Sequence, residues 1–144
     1  MKTRLLDTNL LIVLFWPSHV HHELAASWFL KHRKKGWATC PLTQAGFVRI
    51  VSNPGFSRDA IRPGDAIKLL QLNTQALDHQ FWPMNLPLDQ CIGVSNLIVK
   101  GHQQVTDAYL IGLAHEQRGI LATLDKRMRN LLPTSSHRVL EVVE

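Results

Sequence analysis

The stretch Arg4-Leu5-Leu6-Asp7-Thr8-Asn9 decides the fold, and the apolar run from Leu10 to Trp16 follows it at once. A short apolar strand thus leads into polar residues and then into a run of helix length. The same order recurs near the C-terminus, where the apolar residues 120–124 lead directly into Asp125. Two strands that each end at an aspartate predict a sheet with acidic side chains along one edge.

Between these two stretches, short apolar segments alternate with longer amphipathic ones. Helices are predicted over residues 10–16, 21–35, 41–52, 63–75 and 105–118, and the helix over 63–75 carries Ile67, Leu70 and Leu77 at near-helical intervals. Strands are predicted over 4–6, 37–40, 120–124 and 139–143, with a strand or edge segment over 81–84. This alternation predicts a three-layer α/β/α sandwich with a mostly parallel central sheet, built as one domain over residues 1–144.

Composition narrows the function classes. Sixteen Lys and Arg against eleven Asp and Glu give a net charge of +5, which favours a polyanionic partner such as nucleic acid. Cys40 and Cys91 lie far apart without a ligand-like spacing, which argues against a zinc site or a disulfide framework. Asp7 and Asn9 interrupt the only apolar stretch that could imitate a secretory leader, so we expect a soluble, cytoplasmic protein without a membrane segment.

Three aspartates are the candidate chemical groups. Asp7 and Asp125 each follow a strand, and Asp107 lies at the start of a predicted helix. In open α/β sheets, ligands bind at the carboxyl ends of the strands, so the three carboxylates are expected to meet there around a divalent cation such as Mg²⁺. Each aspartate also has a purely structural interpretation, as a helix N-cap or a turn former.

Four segments together resemble the PIN-domain family, and within it the VapC-type toxins of bacterial toxin–antitoxin modules. The likeness extends from residue 2 to about residue 143, and its segments are Leu6-Asp7-Thr8-Asn9, Cys40-Pro41-Leu42-Thr43 with Gly46-Phe47-Val48-Arg49, Val105-Thr106-Asp107-Ala108-Tyr109-Leu110, and Ala122-Thr123-Leu124-Asp125. The resemblance implies a Mg²⁺- or Mn²⁺-dependent endoribonuclease that hydrolyses RNA with metal-activated water. It also implies an antitoxin partner and a homodimer.

The resemblance also assigns site residues. It implies that the metal-binding acids are Asp7, Asp107 and Asp125, and that Thr8, Asn9 and Thr123 are supporting polar groups that also contact substrate.

One position departs from the family pattern. Family members usually carry a glutamate on the helix after the second strand, and the matching residue is Gln44. An amide can offer an oxygen to a metal or to its water, but it carries no charge and cannot act as a base. Gln44 is therefore expected to be a weaker catalytic group, with Glu23 or Asp89 as candidates to compensate for it.

Basic residues near the acids are candidate substrate contacts. Lys126, Arg127 and Arg129 follow Asp125 closely, and Arg49 lies in the second family segment. They could hold RNA phosphates beside the metal, although basic side chains on a turn commonly form a solvated face.

Other conspicuous residues have ordinary structural explanations. The cluster of His19, His21 and His22 with Glu23 lacks an established metal-ligand spacing, which favours a polar loop and helix start. The basic run over residues 31–35 could follow an RNA backbone, yet it equally complements a helix C-terminus. The four tryptophans could stack on bases, but most lie in apolar patterns typical of a core.

Three hypotheses about function remain. The leading one is the metal-dependent endoribonuclease, with single-stranded RNA loops favoured as targets because their backbone is accessible. A PIN domain that binds RNA or a protein without cleaving is the alternative, motivated by Gln44. A phosphatase with Asp7 as nucleophile is a third, weakened because no second aspartate follows two residues later.

Overall fold

The computed structural model describes residues 2–93, 96–133 and 137–144 of the chain. At its centre is a five-stranded parallel sheet in the order β3-β2-β1-β4-β5. The strands are β1 (Arg4–Leu6), β2 (Trp37–Thr39), β3 (His79–Phe81), β4 (Ile120–Thr123) and β5 (Leu140–Val142). From the central β1, the chain first adds strands on one side and then returns to add β4 and β5 on the other. The crevice between β1 and β4 is therefore the topological switch point, where ligands of α/β folds bind.

Helices cover both faces of this sheet. They are α1 (Thr8–Leu14), α2 (His22–His32), α3 (Pro41–Val51), α4 (Pro63–Thr74), α5 (Leu88–Gly93) and α6 (Val105–Glu116). Short 3₁₀ turns lie at Arg33–Lys35, His102–Gln104, Lys126–Leu131 and His137–Val139.

The alternation of side chains along the strands creates two cores. Leu5 and Leu121 point to the face covered by α5 and α6, whereas Leu6 and Ala122 point to the face covered by α1 to α4. All four side chains are fully buried, and burial of each leucine contributes roughly 1.5–3 kcal/mol. Both faces of the sheet are thus packed, which confirms the predicted three-layer α/β/α architecture.

Local sequence signals explain where the main helices begin. Asp7 is the N-cap of α1, and its carboxylate accepts a hydrogen bond from the Thr8 N–H at 2.8 Å. The helix therefore starts two residues earlier than predicted and ends at Leu14. Pro41 and Pro63 occupy the first positions of α3 and α4, where a missing N–H costs nothing.

The predictions between α4 and α6 were less accurate. The strand predicted over 81–84 lies instead at His79–Phe81, because Pro83 has no N–H to donate to a neighbouring strand. Leu70 of the predicted stripe is buried, but Ile67 and Leu77 are exposed, and Ala66 is the other buried residue of α4. The short helix α5 was not predicted.

Several residues singled out in the sequence are structural. His22 starts α2, and its Nδ1 lies 2.9 Å from the Val13 carbonyl oxygen. Arg33 of the basic run pairs with Asp78 at 2.7 Å, and Trp37 is buried in the core.

No helix in the described part of the chain has the length and apolar character that a membrane crossing requires.

Both cysteines are free thiols in the interior of the protein. Cys40 and Cys91 are each fully buried. Burial raises the pKa of Cys91 to about 11, so its thiol stays protonated and inert at neutral pH.

Candidate active site

Asp7 lies at the carboxyl end of β1 and is almost completely buried, with 5% of its surface exposed. One carboxylate oxygen accepts the Thr8 N–H, and the other accepts the Thr123 hydroxyl at 2.7 Å. Burial raises the pKa of Asp7 to about 6, and the nearby charges of Asp107 and Asp125 act in the same direction against these two hydrogen bonds. Asp7 is therefore a buried acid fixed in one orientation.

Thr123 connects Asp7 to Asp125. Its hydroxyl donates to Asp7 and accepts the backbone N–H of Asp125 at 3.0 Å. Because Thr123 is fully buried at the end of β4, it orients the acids and cannot touch a substrate directly. Asn9 adds a second link, since its side-chain oxygen accepts the Leu124 N–H at 3.4 Å.

Asp107 approaches from the other side of the sheet edge, in the first turn of α6. Its pKa is raised by burial and by the negative charge of Asp125, while Arg127 opposes this effect. Within the described residues, neither Asp107 nor Asp7 forms an ion pair. These two partly desolvated carboxylates therefore lack a basic partner among the described side chains.

Asp125 is held differently. Arg127 makes three hydrogen bonds to its carboxylate, through the backbone N–H at 2.9 Å and the guanidinium at 3.1 and 3.0 Å. These bonds and the positive charge lower the pKa of Asp125. Asp125 therefore stays ionised at neutral pH, with both of its oxygens engaged.

The three aspartates line one open depression of about 480 Å³, which we call the acid depression. Thr8, Asn9 and Arg49 line it as well. On its far wall, Gly46 of α3 lies so close to Thr8 that a Cβ at position 46 would stand 2.9 Å from the Thr8 methyl group. The absence of a side chain at Gly46 lets α3 approach the acids and form this wall.

The donor set suits a hard divalent cation. The available ligand atoms are carboxylate oxygens, which hard cations prefer. The pKa values of the Asp7 and Asp107 carboxyl groups are raised, and a nearby positive charge would lower them. In the described part of the chain, no three His, Cys, Asp or Glu side chains stand close enough to hold an ion in this arrangement. Both oxygens of Asp125 are instead bonded to Arg127.

Comparison with known proteins identifies the family. The sequence matches the PIN domain over residues 4–131. The chain belongs to the PIN-domain family. It is 44% identical to Ribonuclease VapC39 of Mycobacterium tuberculosis over 123 residues, which are 85% of this chain and 88% of that protein. It is 43% identical to Ribonuclease VapC29 of the same organism over 129 residues, 90% of each chain.

A solved structure agrees with the fold. A chain in the crystal structure of VapBC2 from Rickettsia felis, bound to a DNA fragment from its promoter, superposes with a TM-score of 0.60. The alignment covers 99% of both chains at 14% sequence identity. At this identity the likeness is one of fold, and it supports the three-layer architecture.

Gln44, which replaces the usual family glutamate, is placed differently from the expectation. Its amide donates to the Thr39 hydroxyl at 2.9 Å, and Thr39 lies 2.8 Å from Nε2 of His79. Gln44 is not among the described residues that line the acid depression, and neither are Glu23 and Asp89. The glutamine therefore belongs to a hydrogen-bonded chain that runs from α3 through Thr39 of β2 to His79 of β3.

The basic residues after Asp125 are paired with acids. Glu144 accepts from Arg129 at 2.7 Å and lies 3.4 Å from the Lys126 ammonium group. Arg127 is bound to Asp125, so Arg49 is the basic residue of this set that lines the acid depression without such a partner among the described residues. The sequence could not reveal these pairings because Glu144 is far from them along the chain.

Replacing Arg127 with alanine should strengthen metal binding. The substitution removes both guanidinium bonds and a positive charge beside the site, which frees one oxygen of Asp125 and leaves the other with the backbone N–H alone. We therefore expect the Kd for Mn²⁺ to fall about three- to tenfold. Isothermal titration calorimetry on the protein without RNA measures this effect.

Arg129→Ala is the matched control, because it removes the same charge from a side chain bonded to Glu144. Its Kd should stay within about twofold of the original, since a solvent-exposed charge away from the site is screened. Equal effects of the two substitutions would mean that general charge governs metal affinity and that the Arg127–Asp125 contact does not.

Changing Gln44 to glutamate should alter His79 more than the metal site. Burial lowers the pKa of His79, while a hydrogen bond to the Thr74 backbone acts in the opposite direction. Gln44 donates to Thr39, so the Thr39 hydroxyl can donate to His79. A glutamate would accept from Thr39 instead, and His79 would then have to donate from both ring nitrogens.

We therefore expect Gln44→Glu to raise the pKa of His79 by about one unit or more, measured by NMR titration. The Kd for Mn²⁺ should remain within about twofold, because the side chain of residue 44 is bonded to Thr39 and does not line the acid depression. Gln71→Glu on the exposed side of α4 supplies the same charge change as a control. Tighter Mn²⁺ binding in Gln44→Glu alone would show that residue 44 reaches the metal.

Proposed function

We propose that this PIN domain is a divalent-metal-dependent endoribonuclease and the toxin of a toxin–antitoxin module. The observation that supports it best is that Asp7, Asp107 and Asp125 all line one depression, which opens where β1 and its neighbour β4 end. Its relatives carry the name ribonuclease. Mg²⁺ or Mn²⁺ is the proposed cofactor, and single-stranded RNA in the cytoplasm is the proposed substrate.

The chain's own residues would perform most of the work. Asp7 and Asp107 would hold the ion, with Thr8 and Thr123 fixing the orientation of Asp7. Asp125 would either bind the ion or accept a proton from the attacking water. When bound, the ion lowers the pKa of its water and neutralises charge that develops on the phosphoryl oxygens.

Substrate position follows from the shape of the site. The acid depression is open to solvent, so a flexible single strand can lay its phosphate over the carboxylates. The bases of such a strand are also accessible, whereas those of a stacked duplex are buried. Arg49 at the wall of the depression would bind the adjacent phosphate. Arg127 would do so once it leaves Asp125.

The antitoxin and the homodimer are also proposals. They rest on relatedness to VapC proteins and on the fold shared with a chain of the VapBC2 structure from Rickettsia felis. A catalytically silent PIN domain is the second candidate, and the observation that favours it is Gln44 in place of an acid.

Cleavage of a short, unstructured RNA distinguishes these candidates. The purified protein should cut it in the presence of Mg²⁺ or Mn²⁺, and excess chelator should stop the reaction. Asp107→Asn, purified in parallel, should reduce the rate by about a hundredfold or more, because removal of even a supporting group of a metal ligand costs 10–100-fold. Cleavage that survives the chelator or the substitution would come from a contaminant, and binding without cleavage would favour the silent domain.

A further inference from the structure

A second depression opens beside the acid depression. It measures about 430 Å³ and shares Asp107, Asp125 and Met128 with its neighbour, so the two are continuous across the carboxylates. Its other lining residues are His102, Gln103, Gln104, Arg127 and Asn130, with Gly101 and Leu131. We call it the amide lobe. Its volume lies within the roughly 300–1,000 Å³ typical of small-molecule sites.

The two turns that line the amide lobe are next to Asp107 and Asp125 in the chain. The turn His102–Gln104 leads into α6, which carries Asp107, and the turn Lys126–Leu131 follows Asp125. The Ile98 N–H donates to the Leu131 carbonyl at 2.9 Å, which ties the segment before the first turn to the end of the second. A group bound in the lobe therefore has a fixed position relative to the carboxylates.

One amide holds the first wall in shape. The side-chain oxygen of Gln104 accepts the backbone N–H groups of Lys100 at 2.8 Å and Gly101 at 3.3 Å. This bond pattern caps the turn His102–Gln104 and fixes its backbone. Gln104 thus has a structural use, which leaves the other amides as the candidates for ligand contacts.

Gln103 and Asn130 lie on the two turns that line the lobe, one on each, and both are exposed. Among the described residues, neither side chain makes a hydrogen bond. Each amide offers a donor next to an acceptor, which matches the edge of a nucleobase, whereas phosphate binding calls for cations. Arg127 is engaged with Asp125, so beyond the two shared carboxylates the lobe offers the neutral amides of Gln103 and Asn130 and no free cation of Lys or Arg among the described residues.

We propose that the amide lobe is a base-recognition subsite, in which Gln103 and Asn130 bind a purine, preferentially adenine, of the nucleotide next to the cleaved phosphate. Adenine is the preferred occupant because Asn and Gln form bidentate pairs with its N6 and N7 atoms. The proposal rests on the endoribonuclease function. It adds a division of roles between phosphate binding in the acid depression and base reading in the amide lobe.

The test uses an RNA pool with a randomised unpaired loop and sequences the cleavage products. The protein should prefer adenine at one position beside the cut. The double variant Gln103→Ala/Asn130→Ala should reduce that preference by about tenfold or more, since a bidentate base contact discriminates by 1–3 kcal/mol. Its Kd for Mn²⁺ and its preference at other positions should not change.

Two further variants sharpen the outcome. Asn130→Asp replaces the donor with an acceptor and should shift the preference towards cytosine, whose N4 amino group an aspartate accepts. Gln71→Ala removes an exposed glutamine on α4 and should leave the cleavage pattern intact.

Different failures have different meanings. If the protein cleaves no RNA with either metal, the endoribonuclease function is wrong. If it cleaves normally and the double variant keeps the full preference, the subsite is wrong. A uniform loss of rate with an unchanged pattern would also overturn the subsite, because it would assign these amides a structural role.

Discussion

Asp7→Asn should abolish metal-dependent cleavage and at the same time make the protein more stable at neutral pH. The loss of activity should be about a hundredfold or more, since Asp7 is proposed to bind the metal directly. The gain in stability has a separate cause. The folded protein must keep an ionised carboxylate buried beside Asp107 and Asp125, and asparagine removes that charge.

The size of the gain follows from the pKa. A pKa raised from 3.8 to about 6 corresponds to about 3 kcal/mol of unfavourable free energy at pH 7. Asparagine cannot accept both hydrogen bonds of the carboxylate, and one weakened bond costs about 1 kcal/mol. We therefore expect a net increase of about 1–2 kcal/mol in the free energy of unfolding at pH 7, measured by urea denaturation.

The pH dependence gives an independent check. Between pH 4 and 6 the unfolded chain has released the Asp7 proton while the folded protein still holds it. Stability contributed by this group is therefore present below about pH 4 and is lost as the pH rises towards 6. The difference between the original protein and Asp7→Asn should grow over that interval and then stay constant.

Divalent cations should reverse the order of stability of the original protein and Asp7→Asn. Mn²⁺ that binds only the folded protein stabilises it in proportion to the logarithm of its concentration, and Asp7→Asn should lack most of this effect. Asp59→Asn, at an exposed position, is the control for a simple change of charge. An Asp7→Asn protein that is less stable at pH 7, or that still cleaves, would contradict the role given to Asp7.

The features that could be predicted best from the sequence are those that depend on residues adjacent in the chain. Asp7 follows β1 directly, Asp125 follows β4 after one residue, and parallel strands end at the same edge, so their place in one depression could be inferred. The proline at the start of each of the helices α3 and α4 marked where that helix begins. These signals are local, and the fold preserves them.

Features that depend on distant residues could not be predicted in this way. Helical spacing in α4 fits Ile67, but only the packed structure shows that Ala66 faces the core instead. Likewise, the pattern places Gln44 on the correct helix without showing that Thr39 binds its amide. The pairing of Lys126 and Arg129 with Glu144 depends on where the C-terminal strand ends.

Gly112→Ala should be among the most destabilising single substitutions in this chain, with a loss of about 3 kcal/mol or more. Gly112 lies in α6 opposite Cys91 of α5, and both residues are buried. A Cβ at residue 112 would overlap the Cys91 carbonyl oxygen and lie 2.7 Å from its carbonyl carbon. Helix propensity alone favours alanine by up to about 1 kcal/mol, but relief of this overlap requires α5 and α6 to separate.

The same change at Gly64 is the matched control. Gly64 lies in the first turn of α4, and no atom stands within 4 Å of the position a Cβ would take. Gly64→Ala should therefore stabilise the protein by about 0.4–1 kcal/mol. Urea denaturation of both variants compares a helical glycine required for packing with one that is not.

A double variant identifies which atoms of Cys91 cause the loss. Cys91→Ala removes the thiol, whose sulfur would lie 2.8 Å from the new Cβ, but it leaves the carbonyl in place. Cys91→Ala/Gly112→Ala should therefore remain strongly destabilised. Because α6 also carries Asp107, the fraction of Gly112→Ala protein that still folds should bind Mn²⁺ more weakly. A Gly112→Ala protein with unchanged stability and metal affinity would refute the close packing of α5 on α6.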